Sequence, residues 1–216
     1  MEEEQTTRPR PRIESLSDLV FGLALSIGAI ALVSNPPTTT AGFYRDLATF
    51  GFNFVVLISI WLRYTRIMSV LPIETRGTMT LNSVLLFTVS LEPFLFNIIR
   101  SGNSAKPASV SLFETASSLY GIDLGVMMFI MAVFTLALAS EEKRLVPKEM
   151  VRQLREESAT WFISSAIFLA SALPLFGRIQ VGGVTVSGLS VRTLMWLGAI
   201  VVAWLRAGHG RHLVGD

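Results

Sequence analysis

Six apolar runs divide this chain, and the first of them, Leu19–Ser34, carries no charge at all. The others are Leu47–Leu62, Met79–Ile99, Leu112–Ala139, Thr160–Phe176 and Leu189–Leu205. A helix needs about 20 residues to cross a hydrocarbon core, where its backbone groups must be satisfied without water. Leu19–Ser34 is short by itself. Extended back through Arg12–Asp18 it becomes long enough, with Pro11 suited to a first helical turn. Between the runs stand Asn35-Pro36-Pro37, Pro72, Ser101-Gly102-Asn103, Pro147 and Gly182-Gly183, which supply turns. Only 16% of the 216 residues are charged, against about a quarter in a soluble domain. The chain reads as one all-α integral membrane domain over residues 1–216 with six transmembrane helices. Residues 1–11 read as a flexible cytoplasmic N-terminus and 206–216 as a cytoplasmic tail.

Orientation follows from the basic residues. Segments 8–12, 63–76, 143–155 and 206–211 alternate with the spans on one side and hold 13 of the 18 Lys and Arg. The positive side faces the cytoplasm, which puts both termini there. A signal-peptide reading of the first run meets an acidic leader, Met1–Gln5, and no small-x-small cleavage site. With no cysteine, a disulfide framework, a thiol nucleophile and a thiolate metal site are excluded. His209 and His212, the only histidines, lie in the tail, away from any triad in the membrane body. No glycine-rich nucleotide loop is present. The Glu141–Glu157 segment mixes both charge signs and reads as a solvated helical hairpin rather than a nucleic-acid surface. No enzyme chemistry, cofactor or nucleic-acid partner is implied.

Three constellations remain. At about 100° per residue, Leu19, Leu23, Ser26, Ile27, Ile30 and Ser34 share one stripe of the first helix. Phe21, Leu25, Gly28 and Leu32 take the opposite face. Such a stripe suits lipid, a core or a pore. Arg12 and Asp18, about 120° apart around the axis, are too far apart to pair with each other and look to other helices. Trp61 and Asn82 are the candidate partners. Glu92 and Asp123 are the acids deep in spans, at similar depth on adjoining antiparallel helices, and intramembrane acids face protein or water. Held close, they would not both ionise. They read as a cation or proton site, or as a hydrogen-bonded element of the bundle. Gly121-x-x-x-Gly125 is a close-packing motif, and Arg63 and Arg66 mark the inner interface as snorkelling charges.

Arg12-Ile13-Glu14-Ser15-Leu16-Ser17-Asp18 resembles the signature of the endosomal and lysosomal potassium channel family, the transmembrane protein 175 family, in its single-repeat prokaryotic form. That signature is Arg, three variable residues, then Phe-Ser-Asp; Leu16 stands where the family has Phe. Phe54–Trp61 is similar to the family's second helix, although its following His pair is Tyr64-Thr65 here. Leu81-Asn82 through Ser90-Leu91-Glu92-Pro93-Phe94 is similar to the third helix. The likeness is weaker beyond it, and the family usually lacks an acid at the position of Glu92.

The resemblance implies a potassium-preferring cation channel of the prokaryotic plasma membrane. It would be a homotetramer in which four copies of the first helix line the pore. The pore layers carry over to Leu23, Ser26 or Ile27, and Ile30, the stripe drawn independently from periodicity. Arg12, Ser17 and Asp18, with Trp61 and Asn82, would form a polar network at the inner mouth. Nothing resembles a Thr-Val-Gly-Tyr-Gly filter, since Tyr120-Gly121 is isolated. The alternatives are a proton-conducting channel or proton-coupled transporter using Glu92 and Asp123, and a non-conducting membrane scaffold.

Overall fold

The computed structural model describes residues 12–34, 36–71, 75–101, 107–140, 145–178 and 190–209. They form seven helices: α1 (Arg12–Ser34), α2 (Thr40–Met68), α3 (Arg76–Ser101), α4 (Pro107–Leu138), α5 (Lys148–Ser171), α6 (Pro174–Arg178) and α7 (Val191–His209). The expected N-terminal segment, 1–11, lies outside the described residues, whereas the first part of the expected tail 206–216 continues α7 to His209 and only 210–216 lies outside them.

Local chemistry sets the helix starts. Thr39 precedes α2 in extended backbone, and its hydroxyl accepts from the Gly42 N–H at 3.1 Å. Thr75 accepts from the Thr78 N–H before α3, and Ser190 from the Thr193 N–H before α7. Each hydroxyl thereby satisfies one of the N–H groups that a helix start leaves without a partner.

Six of these helices coincide with the six apolar runs. Four of them, α1 to α4, are long and apolar enough to cross a membrane. The apolar part of α7 is shorter, Val191–Val202. The helix α5 begins at Lys148, well before the expected start at Thr160. Residues 148–157 are thus its first turns and not part of a hairpin; 141–144 lie outside the described residues. The reason is a buried stripe, Val151, Leu154 and Ser158, that docks this charged stretch on the bundle.

The core is centred on α4, which packs most extensively on α5 and next on α3. Gly121 and Gly125 let α5 approach. A Cβ at Gly121 would stand 2.9 Å from Ser171 Oγ, and one at Gly125 would stand 2.7 Å from the Leu169 side chain and 3.2 Å from its backbone nitrogen. Serines of α5 use that proximity. Ser158 Oγ donates to the Ala132 carbonyl and Ser165 Oγ to the Gly125 carbonyl, both at 2.8 Å. Helix α1 lies at the edge of the bundle, packed on α3 and α2. Its buried face is Ser17, Phe21, Ala24 and Gly28, spaced by three and four residues.

Candidate functional site

The outward face of α1 is apolar and bare. Leu19, Leu23, Ile27 and Ile30 are 58%, 52%, 51% and 61% exposed, whereas Phe21 is 1% exposed. Ser26 lies on the same outward face and donates to the Gly22 carbonyl at 2.7 Å. That donation uses its only proton, so its lone pairs remain to face outward. A continuous apolar face of this kind requires a covering, by lipid or by protein.

The N-terminal end of α1 is held by polar side chains from α2 and α3. The Tyr64 hydroxyl donates to Asn82 Oδ1 at 2.8 Å. Its single proton is then committed, so the 2.7 Å contact with Ser17 has Ser17 Oγ as donor. Trp61 Nε1 donates to Asp18 Oδ1 at 3.0 Å. Asn82 therefore meets Ser17 through Tyr64, and Trp61 meets Asp18. The side chain of Arg12 lies outside the described residues. Tyr64 also stacks on Phe21, with ring centroids 5.7 Å apart, which joins the polar relay to the apolar face of α1.

Sequence reasoning missed the tie at the other end. Arg100, at the end of α3, donates to Asp46 Oδ2 at 3.1 Å and to the Ala31 carbonyl at 2.6 Å. Arg100 and Asp46 are both buried. One guanidinium thus joins α3, α2 and the last turn of α1. Arg100 reads in the sequence as an outer loop charge, and no spacing rule links it to Asp46. Arg63 differs in the same way from its sequence reading. It does not snorkel alone but pairs with Glu157 of α5, while Arg66 is exposed. Burial pushes the Glu157 carboxyl above its ordinary range, and Arg63 opposes that shift.

Arg192, 2% exposed, gathers the second half. It donates to the Ser171 and Leu173 carbonyls at 2.8 and 3.2 Å and to Ser117 Oγ, with the Glu114 carboxylate at 3.6 Å. It thereby caps the C-terminal end of α5, where carbonyls lack helical donors. Trp196 of α7 adds a bond to Ser171 Oγ at 2.8 Å.

Glu92 of α3 and Asp123 of α4 lie within electrostatic reach of each other. Asp123 senses the charge of Glu92, and Asn53 and Tyr120 lie beside Glu92. Glu92 is wholly buried and Asp123 nearly so. None of the four carboxylate oxygens completes a well-formed hydrogen bond. Neither acid lies on α1. Among the described residues no group of three or more His, Cys, Asp or Glu side chains could hold a metal ion.

Two comparisons with known proteins give matches. Residues 12–93 match the family described as endosomal/lysosomal potassium channel TMEM175. That match spans α1, α2 and most of α3, the helices joined by the two polar ties. The crystal structure of a lysosomal potassium-selective channel TMEM175 homolog from Chamaesiphon minutus shares the fold, with a TM-score of 0.57 and 16% sequence identity. The likeness covers 90% of this chain and 96% of that one. No curated protein matches. Over residues 12–93 the chain is thus similar to the TMEM175 potassium channel family, and its bundle takes the fold of a bacterial TMEM175 homologue.

Proposed function

We propose that this integral membrane protein is a potassium-preferring cation channel, a homotetramer in which four copies of α1 surround the conduction path. The observation that carries the reading is the bare apolar stripe of α1 beside its well-packed opposite face. One such helix cannot enclose a pore, and four related by symmetry can. Leu23, Ser26, Ile27 and Ile30 then form the constriction. Bulky apolar layers exclude hydrated ions and gate by dewetting. Ser26 supports a preference for cations, because its proton is given to Gly22 and its oxygen lone pairs point outward.

The polar groups at the two ends of α1 set the aperture by fixing its tilt. Arg12, Ser17, Asp18, Trp61 and Asn82 act at the inner end as structural partners and not as ion ligands. All six long helices traverse the membrane, both termini are cytoplasmic, and the setting is a prokaryotic plasma membrane. The excess of basic residues on that side supports the orientation. The homologue's description as potassium-selective supports the choice of ion.

Flux from liposomes of matched tetramer content tests the proposal. Ile30→Ala and Leu23→Ala are expected to raise potassium flux and to lower discrimination against sodium. Unchanged flux in both variants, with permeation altered by Leu25→Ala instead, would show the pore face to be wrong. Flux that follows only a pH gradient would favour the proton-coupled alternative.

A further inference from the structure

Behind the packed face of α1 lies a second polar centre that the pore does not use. It combines Asn53 of α2, Glu92 of α3, and Tyr120 and Asp123 of α4. All four side chains are at least nine-tenths buried. Six of their oxygens complete no well-formed hydrogen bond, namely Asn53 Oδ1, both of Glu92, Tyr120 OH and both of Asp123, although Asn53 and Tyr120 stand close enough to act on the Glu92 carboxyl. Pro93 follows Glu92 and has no N–H for the Val89 carbonyl, which leaves a further oxygen without its helical donor. The centre adjoins α1, since Asn53 Nδ2 is 3.7 Å from where a Cβ on Gly28 would stand.

Two carboxylates in a low-dielectric interior require compensation. Among the described residues the neighbouring cations are committed elsewhere. Arg100 holds Asp46 and the Ala31 carbonyl, Arg192 holds Glu114, Ser117 and the end of α5, and Arg63 holds Glu157. The rest of the surroundings includes aromatic rings. Tyr120 is flanked by Phe96 and Trp196, at centroid distances of 6.3 and 5.1 Å. A donor set made only of oxygens selects a hard cation and disfavours a transition metal. An ion reaching side chains this deeply buried must shed most of its water. The penalty for that rises with the square of its charge, which favours a single charge.

We propose that Asn53, Glu92, Tyr120 and Asp123 form a buried monovalent-cation site within each protomer, separate from the α1 path. The occupant is an alkali ion; a proton carried by each carboxyl, which would leave no charge to coordinate, is the competing account. The site balances the charge between α3 and α4 and stiffens the wall against which α1 packs.

The test uses the full-length protein in detergent and needs no flux, so its outcome is independent of the pore assignment. Melting temperature is recorded with potassium chloride replaced by choline chloride at fixed pH, and then across pH in choline chloride. Infrared difference spectra follow the carboxyl bands through both exchanges. For an alkali ion, wild-type protein loses stability and shifts its carboxylate bands when potassium is removed. A response to pH alone, with a band from protonated carboxyl, would mean that protonation neutralises the pair and would overturn the site. Glu92→Gln and Asp123→Asn should each remove part of that infrared response, and the double variant should lose the potassium-dependent shift in melting. Wild-type and single-variant spectra that change identically in both exchanges would overturn the site. A response to calcium with none to potassium or pH would overturn its monovalent character. The single-variant spectra decide the matter even if the double variant does not fold.

Discussion

Helices α1 and α4 are equally apolar, yet 22% of the spanning window of α1 is buried against 67% of that of α4. The difference lies in how each is held. Helix α4 is gripped along its length by α3 and α5, with glycines at the closest approach and serines bonding its carbonyls. Helix α1 is held on one face by Phe21, Ala24 and Gly28, and at its ends by polar bonds from α2 and α3. Apolarity in a membrane chain therefore does not say whether a helix faces protein. Lipid is as apolar as leucine, so association within the bilayer depends on close packing and directional bonds. A helix fixed mainly at its ends, with one face bare, is suited to meeting copies of itself.

That contrast is broken most severely at the C-terminal tie of α1. Asp46→Ala leaves the Arg100 guanidinium buried without its carboxylate, which should destabilise the protomer by about 3–5 kcal/mol. Asp46→Leu with Arg100→Met should recover much of that loss, because replacing both partners by apolar groups is often neutral. Denaturant titration of the detergent-solubilised protein, with helix content as the signal, measures both. A single variant as stable as wild type would mean that α1 is held by its apolar face alone.

At α4 the sensitive quantity is volume. Gly125→Ala places a methyl against the side chain and backbone nitrogen of Leu169. Overpacking of this kind costs about 1–3 kcal/mol, offset in part by the roughly 1 kcal/mol helix preference of Ala over Gly. Leu169→Ala in the same chain should relieve the side-chain part of the clash and leave the backbone part. The melting temperatures of the two single variants and the double variant separate these contributions. A Gly125→Ala chain more stable than wild type would show that α5 can retreat without loss.

The two helices also differ in how much of them the sequence discloses. The uncharged runs locate the spans, and the three- and four-residue spacing of α1 separates its bare face from its packed one. Gly121 and Gly125 announce a close approach, although not which helix approaches. The ion pairs are another matter. Asp46 and Arg100 lie in different helices with no sequence period between them, and each alone looks like an interfacial charge. Arg192 likewise reads as a loop charge, and only the fold brings Ser117, Ser171 and Glu114 around it. The Lys148–Glu157 stretch misleads because its charges are conspicuous. The stripe of Val151 and Leu154, which continues α5 onto the bundle, is sparse beside them. Tyr64 is visible as the residue that replaces a family histidine, but its bonds to Ser17 and Asn82 depend on three helices meeting.

The smallest effect should come from repeating the glycine substitution on α1. A Cβ at Gly22 meets nothing within 4 Å, in contrast to Gly125. Gly22 adjoins Leu23 on the exposed side of the helix. Within a single protomer, Gly22→Ala therefore adds helix preference without a clash, a gain of at most about 1 kcal/mol. Dissociated protomers in a harsh detergent should melt slightly higher than wild type. The proposed tetramer in a mild detergent gives the complementary reading. If copies of α1 approach one another at Gly22, the added methyl crowds the interface and the tetramer fraction falls in size-exclusion chromatography with light scattering. If lipid covers that position, the tetramer fraction is unchanged and the gain persists in both detergents. A protomer destabilised as strongly by Gly22→Ala as by Gly125→Ala would erase the distinction between the two helices, because the bare face of α1 would then be packed within its own bundle.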